Sequence, residues 1–259
     1  MRRVPRSMDD RQLFDRQYAS LREFCRLLGA AAPRSQVVER GRVLAAMVPA
    51  TPDRSVMNSV VYEDPGELEQ ELPALAEAYE SAGVRAWTVW VPYHDRHAAG
   101  VLERAGHVLD ADPAGMAMEL AALDVAPLED LDLDPDPDVP TVARLNDGAY
   151  TYGTDDFERG LQSAPSLRCY IARQDGRPVS CATGHDHEGD FSVTLVATLP
   201  EARGGGLARR LLAHALHEAR ERGCTTTSLQ ATKLGQPLYA RLGYRDLGPV
   251  QMWERRAPH

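Results

Sequence analysis

Residues 199–212 read LPEARGGGLARRLL, an arginine and three consecutive glycines set directly before a run with helical periodicity. The chemistry such a turn offers is anion binding. The first turn of a helix leaves backbone N–H groups without partners and carries partial positive charge. Gly204, Gly205 and Gly206 would let a ligand approach that backbone without side-chain obstruction. A tight turn with no ligand is the competing reading. Two phosphate-binding motifs are excluded. A Walker A loop needs Lys-Ser/Thr after its last glycine, where Leu207-Ala208 stands here, and a dinucleotide fingerprint needs a glycine spacing and a βαβ continuation that this stretch lacks.

Other residues with chemical capacity are less organised. GHDHEGD, residues 184–190, places His185 and His187 around Asp186, but no third metal ligand is evident and a polar hairpin turn accounts for the segment. Cys169 and Cys181 lie in apolar strand-like runs, where cysteine is usually a small buried hydrophobe.

The glycine turn must be held by the elements around it. At 100° per residue, Leu207, Leu211, Leu212, Ala215, Leu216 and Ala219 fall on one half of a helix spanning 207–221, and Arg209, Arg210, His214, His217, Glu218 and Arg220 on the other. His214 and His217 are therefore expected in solvent. FSVTLVAT precedes the turn as a strand; TTTSLQAT and PLYARLGY follow the helix. The first half repeats this order, with MNSVVYED, ELPALAEAYESAGV, AWTVWV and VLERAGHVLDADPAGMAMEL. Val61 to Gly83 is 22 residues where Val196 to Gly223 is 27, and the shortfall coincides with ARGGG. A helix and a hairpin precede each unit: RQLFDRQYASLREFCRLLG and VVERGRVLAAMVP, then VARLNDGAYTYG and CYIARQDGRPVSCATGH, in which QDGR is the turn. Trp87 and Trp90 are expected to pack against a neighbouring face, an aromatic wall for a ligand being the alternative.

The stretch DVAPLEDLDLDPDPDVP, residues 124–140, carries four prolines and alternating acids, and reads as a connector whose DLDLDP part could open a second domain as an edge strand. The division expected is 1–123, a linker 124–138, and 139–259. A net charge of −9 opposes nucleic-acid binding, and no apolar run is long enough to span a membrane. Four cysteines without paired spacing argue against zinc and against a disulfide framework, so a reducing cytoplasm is the simplest setting.

Arg203-x-x-Gly206-x-Ala208 after a strand, with PLYARLGY downstream, resembles the GNAT superfamily of acyl-CoA N-acyltransferases, strongly so over residues 139–256. The first half, with Leu102 where Tyr239 stands in the second and no glycine turn, resembles a degenerate copy, as in tandem members. The resemblance implies an α/β fold of two GNAT-like domains, each a mixed, mostly antiparallel twisted sheet flanked by helices. It implies that the backbone of Val196, Ala197 and Thr198 pairs with the pantetheine arm of acetyl-CoA. Arg203 and the amides of Gly204, Gly205, Gly206, Leu207, Ala208 and Arg209 would then hold the pyrophosphate. Tyr239 matches the tyrosine that acts as general acid toward the departing thiolate. Thr232 stands where many members carry a cofactor-contacting Asn, a departure that weakens that contact; Lys233 reads as solvated.

An ammonium has no lone pair, so the acceptor amine must lose a proton. Asp190 lies where the family's carboxylate bases often stand, with the turn reading of its segment still open. The expected reaction is acetyl transfer from acetyl-CoA to a primary amine of a small molecule by direct attack in a ternary complex. No metal, nucleic acid or membrane takes part, and a homodimer is allowed for. Asp155, Asp156 and Glu158 would attract a cationic amine, unless they are simply solvated helix residues. A non-catalytic acyl-CoA-binding regulator and a protein N-acetyltransferase are the alternatives.

Overall fold

The computed structural model describes residues 7–126, 131–150 and 155–257. Residues 127–130 of the acidic connector, and 151–153 at the end of the helix expected from VARLNDGAYTYG, lie outside the described residues. The first half runs α1 (Asp10–Leu28), β1 (Gln36–Arg40), β2 (Val43–Met47), β3 (Ser59–Tyr62), α2 (Pro65–Ser81), β4 (Ala86–Pro92), α3 (Arg96–Arg104), β5 (Val108–Ala111) and β6 (Ala114–Glu119). The second runs α4 (Val139–Ala149), α5 (Asp156–Gly160), β7 (Arg168–Gln174), β8 (Arg177–His187), β9 (Asp190–Thr198), α6 (Leu207–Glu221), β10 (Thr226–Ala231), α7 (Gln236–Ala240) and β11 (Arg245–Arg256).

Local sequence explains these boundaries. Asp9 and Gln12 form a reciprocal capping box at the start of α1. Asp64 caps α2 with Pro65 at its first position, and Asp138 caps α4. The β7–β8 hairpin turns on Asp175 and Gly176, with φ of 51° and 73°, as the Asp-Gly pair requires. Leu133 makes an isolated bridge to Ala172, so the connector does end in an edge pairing beside β7.

Among the described residues, eleven strands join one mixed sheet in the order β1-β2-β3-β4-β11-β6-β10-β9-β8-β7, with β5 alongside β11. Of their pairings, β3/β4 and β9/β10 are parallel and the rest antiparallel. The halves trade their final strands. β6, from the first half, pairs along β10 from Thr226↔Glu119 to Ala231↔Ala114. β11, from the second, pairs along β4 from Val250↔Pro92 to Arg256↔Ala86. The two traded strands meet at the centre, where Arg245 opposes Ala117, and β11 bends between Asp246 and Pro249 to pass from one half to the other.

Packing follows the trade. On one face, Leu211, Leu212 and Leu216 of α6 pack on Phe191, Val193 and Leu229 together with Met116 and Met118 of β6. On the opposite face, Leu13, Leu21 and Cys25 of α1 cover Trp90, Ala117, Leu247 and Val250, so α1 lies across the seam. Each leucine, valine, phenylalanine and methionine among these contributes about 1.5–3 kcal/mol when fully buried. Trp87 stacks on Tyr79 at 4.7 Å, and Trp90 donates its indole N–H to Ser59 Oγ at 2.9 Å. Both tryptophans are core residues rather than walls of a ligand site.

Candidate active site

The parallel pair β9/β10 pairs only from Asp190↔Thr226 to Ser192↔Ser228. Beyond that point β9 continues to Thr198 and β10 to Ala231 without bonding each other, so the strands part. The departure is built into β9. Its register with β8 slips between Cys181 and Thr183, and Leu195 sits at φ 48°, a left-handed conformation that few non-glycine residues adopt. The bulge turns the Val196–Thr198 backbone away from β10 while β8 holds its other edge through Ser180↔Thr198 and Cys181↔Ala197.

The glycine turn follows at the end of the parted strand. Gly204 and Gly206 adopt φ of 88° and 72°, and a Cβ placed on Gly204, Gly205 or Gly206 would meet no atom within 4 Å. The space over the turn is open on all three. Gly206 is the N-cap of α6, and neither a capping side chain nor an acidic residue occupies the first turn. Among the described residues, no amide from Gly204 to Arg209 donates to a backbone carbonyl; the first helical bond is Arg210 N to Gly206 O. Free amides, the helix dipole and the exposed Arg209 side chain together make a cradle that suits a pyrophosphate. Arg203 is engaged with the protein, donating to the carbonyls of Thr198 and Ala149.

Tyr239, on α7, is 8% exposed and packs edge-on against Tyr244 at 5.8 Å, in the same cluster against which Val196 packs. Burial pushes its hydroxyl well above the usual tyrosine range, so it keeps its proton. Tyr150, at the C-terminal end of α4, donates its hydroxyl to Val196 O at 2.8 Å and adds a further upward push to Tyr239. Sequence reasoning missed Tyr150; nothing in NDGAYTYG signals that α4 ends over the parted strand.

Asp190 stands apart from this group. Six residues of strand, roughly 20 Å at about 3.3 Å per residue, separate it from Val196. It is buried beneath α1, accepting hydrogen bonds from Ser20 Oγ (2.8 Å), Thr226 Oγ1 (2.7 Å) and Ser228 Oγ (2.5 Å). Burial raises its pKa, and the three hydroxyls pull the other way. The turn expected in GHDHEGD is present at Glu188-Gly189, but His185 before it is buried, its Nε2 3.0 Å from Ser20 O. Thr232 organises the turn into α7, its hydroxyl and carbonyl accepting from Gly235 N–H. Lys233 is exposed and paired with Asp112. Asp155 and Asp156 pair with Arg159, and Glu158 with Arg144. Burial pushes the Cys181 thiol up to about 12. Among the described residues no group of three or more His, Cys, Asp or Glu is placed to hold a metal ion. No helix among them is long and apolar enough to cross a membrane.

The first half carries the same parting of strands, already filled. β3 and β4 pair at Ser59↔Thr88 and Val60↔Val89 and then separate. The Tyr18 hydroxyl bridges the gap, donating to Trp90 O at 2.9 Å and accepting from Tyr62 N at 3.4 Å. At the start of α2, where the second half has its glycine turn, the Asp64 carboxylate accepts from Glu67 N at 2.9 Å. The chain's own carboxylate thus occupies the anion position.

A family model described as Acetyltransferase (GNAT) domain matches residues 165–246. A protein from Azospirillum brasilense named IAA acetyltransferase is 38% identical over 92 residues, covering 33% of this chain and 59% of that protein, so the chain spans a little over half of its relative's length. Among solved structures, a GCN5-related N-acetyltransferase from Kribbella flavida superposes with a TM-score of 0.69 at 19% identity, covering 94% of this chain and 96% of the other. A tandem GNAT protein from the clavulanic acid biosynthesis pathway superposes with a TM-score of 0.56 at 14% identity, covering 98% of each. The open glycine turn lies inside the segment that the GNAT domain model matches, and the fold is shared with these structures across both halves.

Proposed function

We propose that this protein transfers an acetyl group from acetyl-CoA to a primary amine of a small molecule, and that the second half alone holds the donor. The observation that carries this reading is the open glycine turn at the end of a parted strand, beside a buried, protonated tyrosine. The amides from Gly204 to Arg209 hold the pyrophosphate, and the backbone of Val196, Ala197 and Thr198 aligns the pantetheine arm once the Tyr150 hydroxyl releases Val196 O. Thr232 shapes the far wall through the turn into α7.

In the reaction the amine nitrogen bonds to the thioester carbonyl carbon and the carbon–sulfur bond breaks. Tyr239 gives its proton to the departing sulfur, and the amine proton passes to a base. Asp190 is that base in our reading, reached through hydroxyls rather than directly. Ser228 bonds it, and Ser192, paired with Ser228 across the strands, has a buried hydroxyl without a partner among the described residues. The name of the Azospirillum brasilense relative supports a small-molecule acceptor. We retain the division 1–123, 124–138 and 139–259 as two units that exchange strands, and four free cysteines support a reducing, cytoplasmic setting.

Calorimetric titration with acetyl-CoA, followed by a free-thiol release assay over a panel of amines, tests the reading. We expect binding of one acetyl-CoA and thiol release that depends on the amine. Binding without release on any acceptor would make the protein an acyl-CoA-binding regulator instead, and absence of binding would refute the proposal.

A further inference from the structure

A cavity of about 520 Å³ lies on the α1 side of the first half, at the carboxyl ends of β3 and β4. Its size suits a small organic ligand. The Tyr18 bridge closes the gap between the strands, so the cavity takes nothing from the parted backbone and depends on its side chains. One wall is a continuous aromatic row. Tyr62 meets Tyr18 edge-on at 6.4 Å, Tyr18 stacks on Phe14 at 6.3 Å, and Phe14 meets His94 edge-on at 5.6 Å.

The charge around this row is negative. Asp15, Glu23, Glu63, Asp95 and Glu188 line the cavity, against Arg22 and Arg26. Both guanidiniums are already neutralised. Arg22 lies 3.5 Å from Glu39 and 3.4 Å from Glu63, and Arg26 pairs with Glu39 and, at 3.2 Å, with Glu23. Among the described residues the one cationic partner of Asp15 is the exposed Arg11. Among the described residues neither Asp95 nor Glu188 has a cationic partner: Asp95 accepts from Tyr62 Oη at 2.8 Å and from Ala98 N at 3.0 Å, and Glu188 stands on the β8–β9 turn.

An apolar aromatic wall and unneutralised carboxylates are both satisfied by one class of ligand. An organic cation meets both, an anion is repelled by the carboxylates, and a neutral molecule leaves the charge unmet. A bare metal ion would make no use of the rings. We infer that this cavity binds an organic ammonium ion, its charge between Asp95 and Glu188 and its body along Phe14, Tyr18 and Tyr62. The site is separate from the glycine turn, and the inference is independent of acetyl transfer.

The test titrates phenethylammonium and neutral 2-phenylethanol into the full chain without acetyl-CoA, by calorimetry and by NMR of the histidine rings. The ammonium ion is expected to bind about tenfold or more tighter than the alcohol, with affinity falling as salt rises and with the His94 resonance moving. Asp95→Asn keeps a good N-cap on α3 while removing the charge, and Glu188→Gln acts at a turn. Each should weaken binding several-fold, and the pair should abolish the preference for the ammonium ion. Equal binding of the two probes, no binding, or binding that moves no His94 resonance and ignores both substitutions would overturn the assignment. Loss of acetyl transfer with ammonium binding intact would count against the proposed function only.

Discussion

The Arg203 guanidinium donates through Nη2 to the carbonyl oxygen of Ala149 at 2.6 Å, tying the entrance of the glycine turn to the last residue of α4. Its Nε holds Thr198 O at 3.0 Å, so a single side chain joins the parted strand, the turn and the helix carrying Tyr150. This arginine sets where the amides point. Arg203→Ala should weaken acetyl-CoA about tenfold, the loss of about 1.4 kcal/mol expected of a charged donor on carbonyls. Arg203→Lys cannot reach both carbonyls with one point charge and should fall between. Calorimetric titration of both variants measures the effect, and unchanged affinity in Arg203→Ala would dismiss the positioning role.

Gly205 offers a sharper dissection of the turn. Its φ is not in the left-handed region and its Cβ position is open, so a side chain fits without strain. Gly205→Asp would place a carboxylate at the start of α6, where an anion favours the helix by about 0.3–1 kcal/mol. The variant should therefore be as stable as the parent or slightly more so, yet lose acetyl-CoA binding about a hundredfold through charge repulsion and occupied space. Melting temperature and titration together check the opposite signs.

Tyr239→Phe removes one hydroxyl and keeps the ring contact with Tyr244. The expected result is a kcat lower by about 10²-fold, the contribution of a positioned proton donor, with acetyl-CoA affinity and melting temperature nearly unchanged. A kcat at the parental level would assign the proton to another group.

The order of the elements was legible in the sequence, because helical and strand periodicities and the Asp-Gly turn are local signals. The trade of β6 and β11 was not. Both repeats end in the same pattern, and no local property tells β4 whether to accept the strand of its own half or of the other. Similarly, the open glycine turn before α6 could be read from RGGGLA, whereas the Leu195 bulge could not, since leucine carries no preference for positive φ. Tyr18 and Tyr150 act through hydroxyls on carbonyls 72 and 46 residues away, and Asp190 meets Ser20 across 170 residues. The Tyr18 and Ser20 contacts exist only once α1 has docked across the seam, and the Tyr150 contact only once α4 has packed on β9.

His107 gives the fold an acid-sensitive point. It is 2% exposed, and burial, aided by the positive charge of Arg255, lowers its pKa to about 4. The unfolded chain takes up this proton near pH 6.5 while the folded chain does not, so its contribution is complete above about pH 6.5 and is lost as pH falls toward 4. Urea midpoints should drop between pH 7 and pH 5, and the slope should flatten in His107→Phe. Parallel slopes in parent and variant would rule the histidine out as a source. Asp190, whose pKa is raised by burial, works in the opposite sense and recovers stability on acidification.

Acetyl-CoA should bind once per chain, because Tyr18 and the Asp64 cap close the first half. Tyr18→Phe unplugs the strands but leaves the carboxylate cap, and should still bind one equivalent. A second equivalent in calorimetry would contradict this account of the first half.

The traded strands also govern how the molecule can be made. Synthesis proceeds from the N-terminus at about 5–20 residues per second, and domains ordinarily fold as they emerge. Here β4 is complete at Pro92 but its neighbour β11 begins at Arg245, so the nascent first half waits on the order of ten seconds with an open β-edge. β6 likewise leaves the ribosome before the β10 that receives it. Vectorial folding is closed to this chain, and its two halves mature together, after translation has reached the last strand.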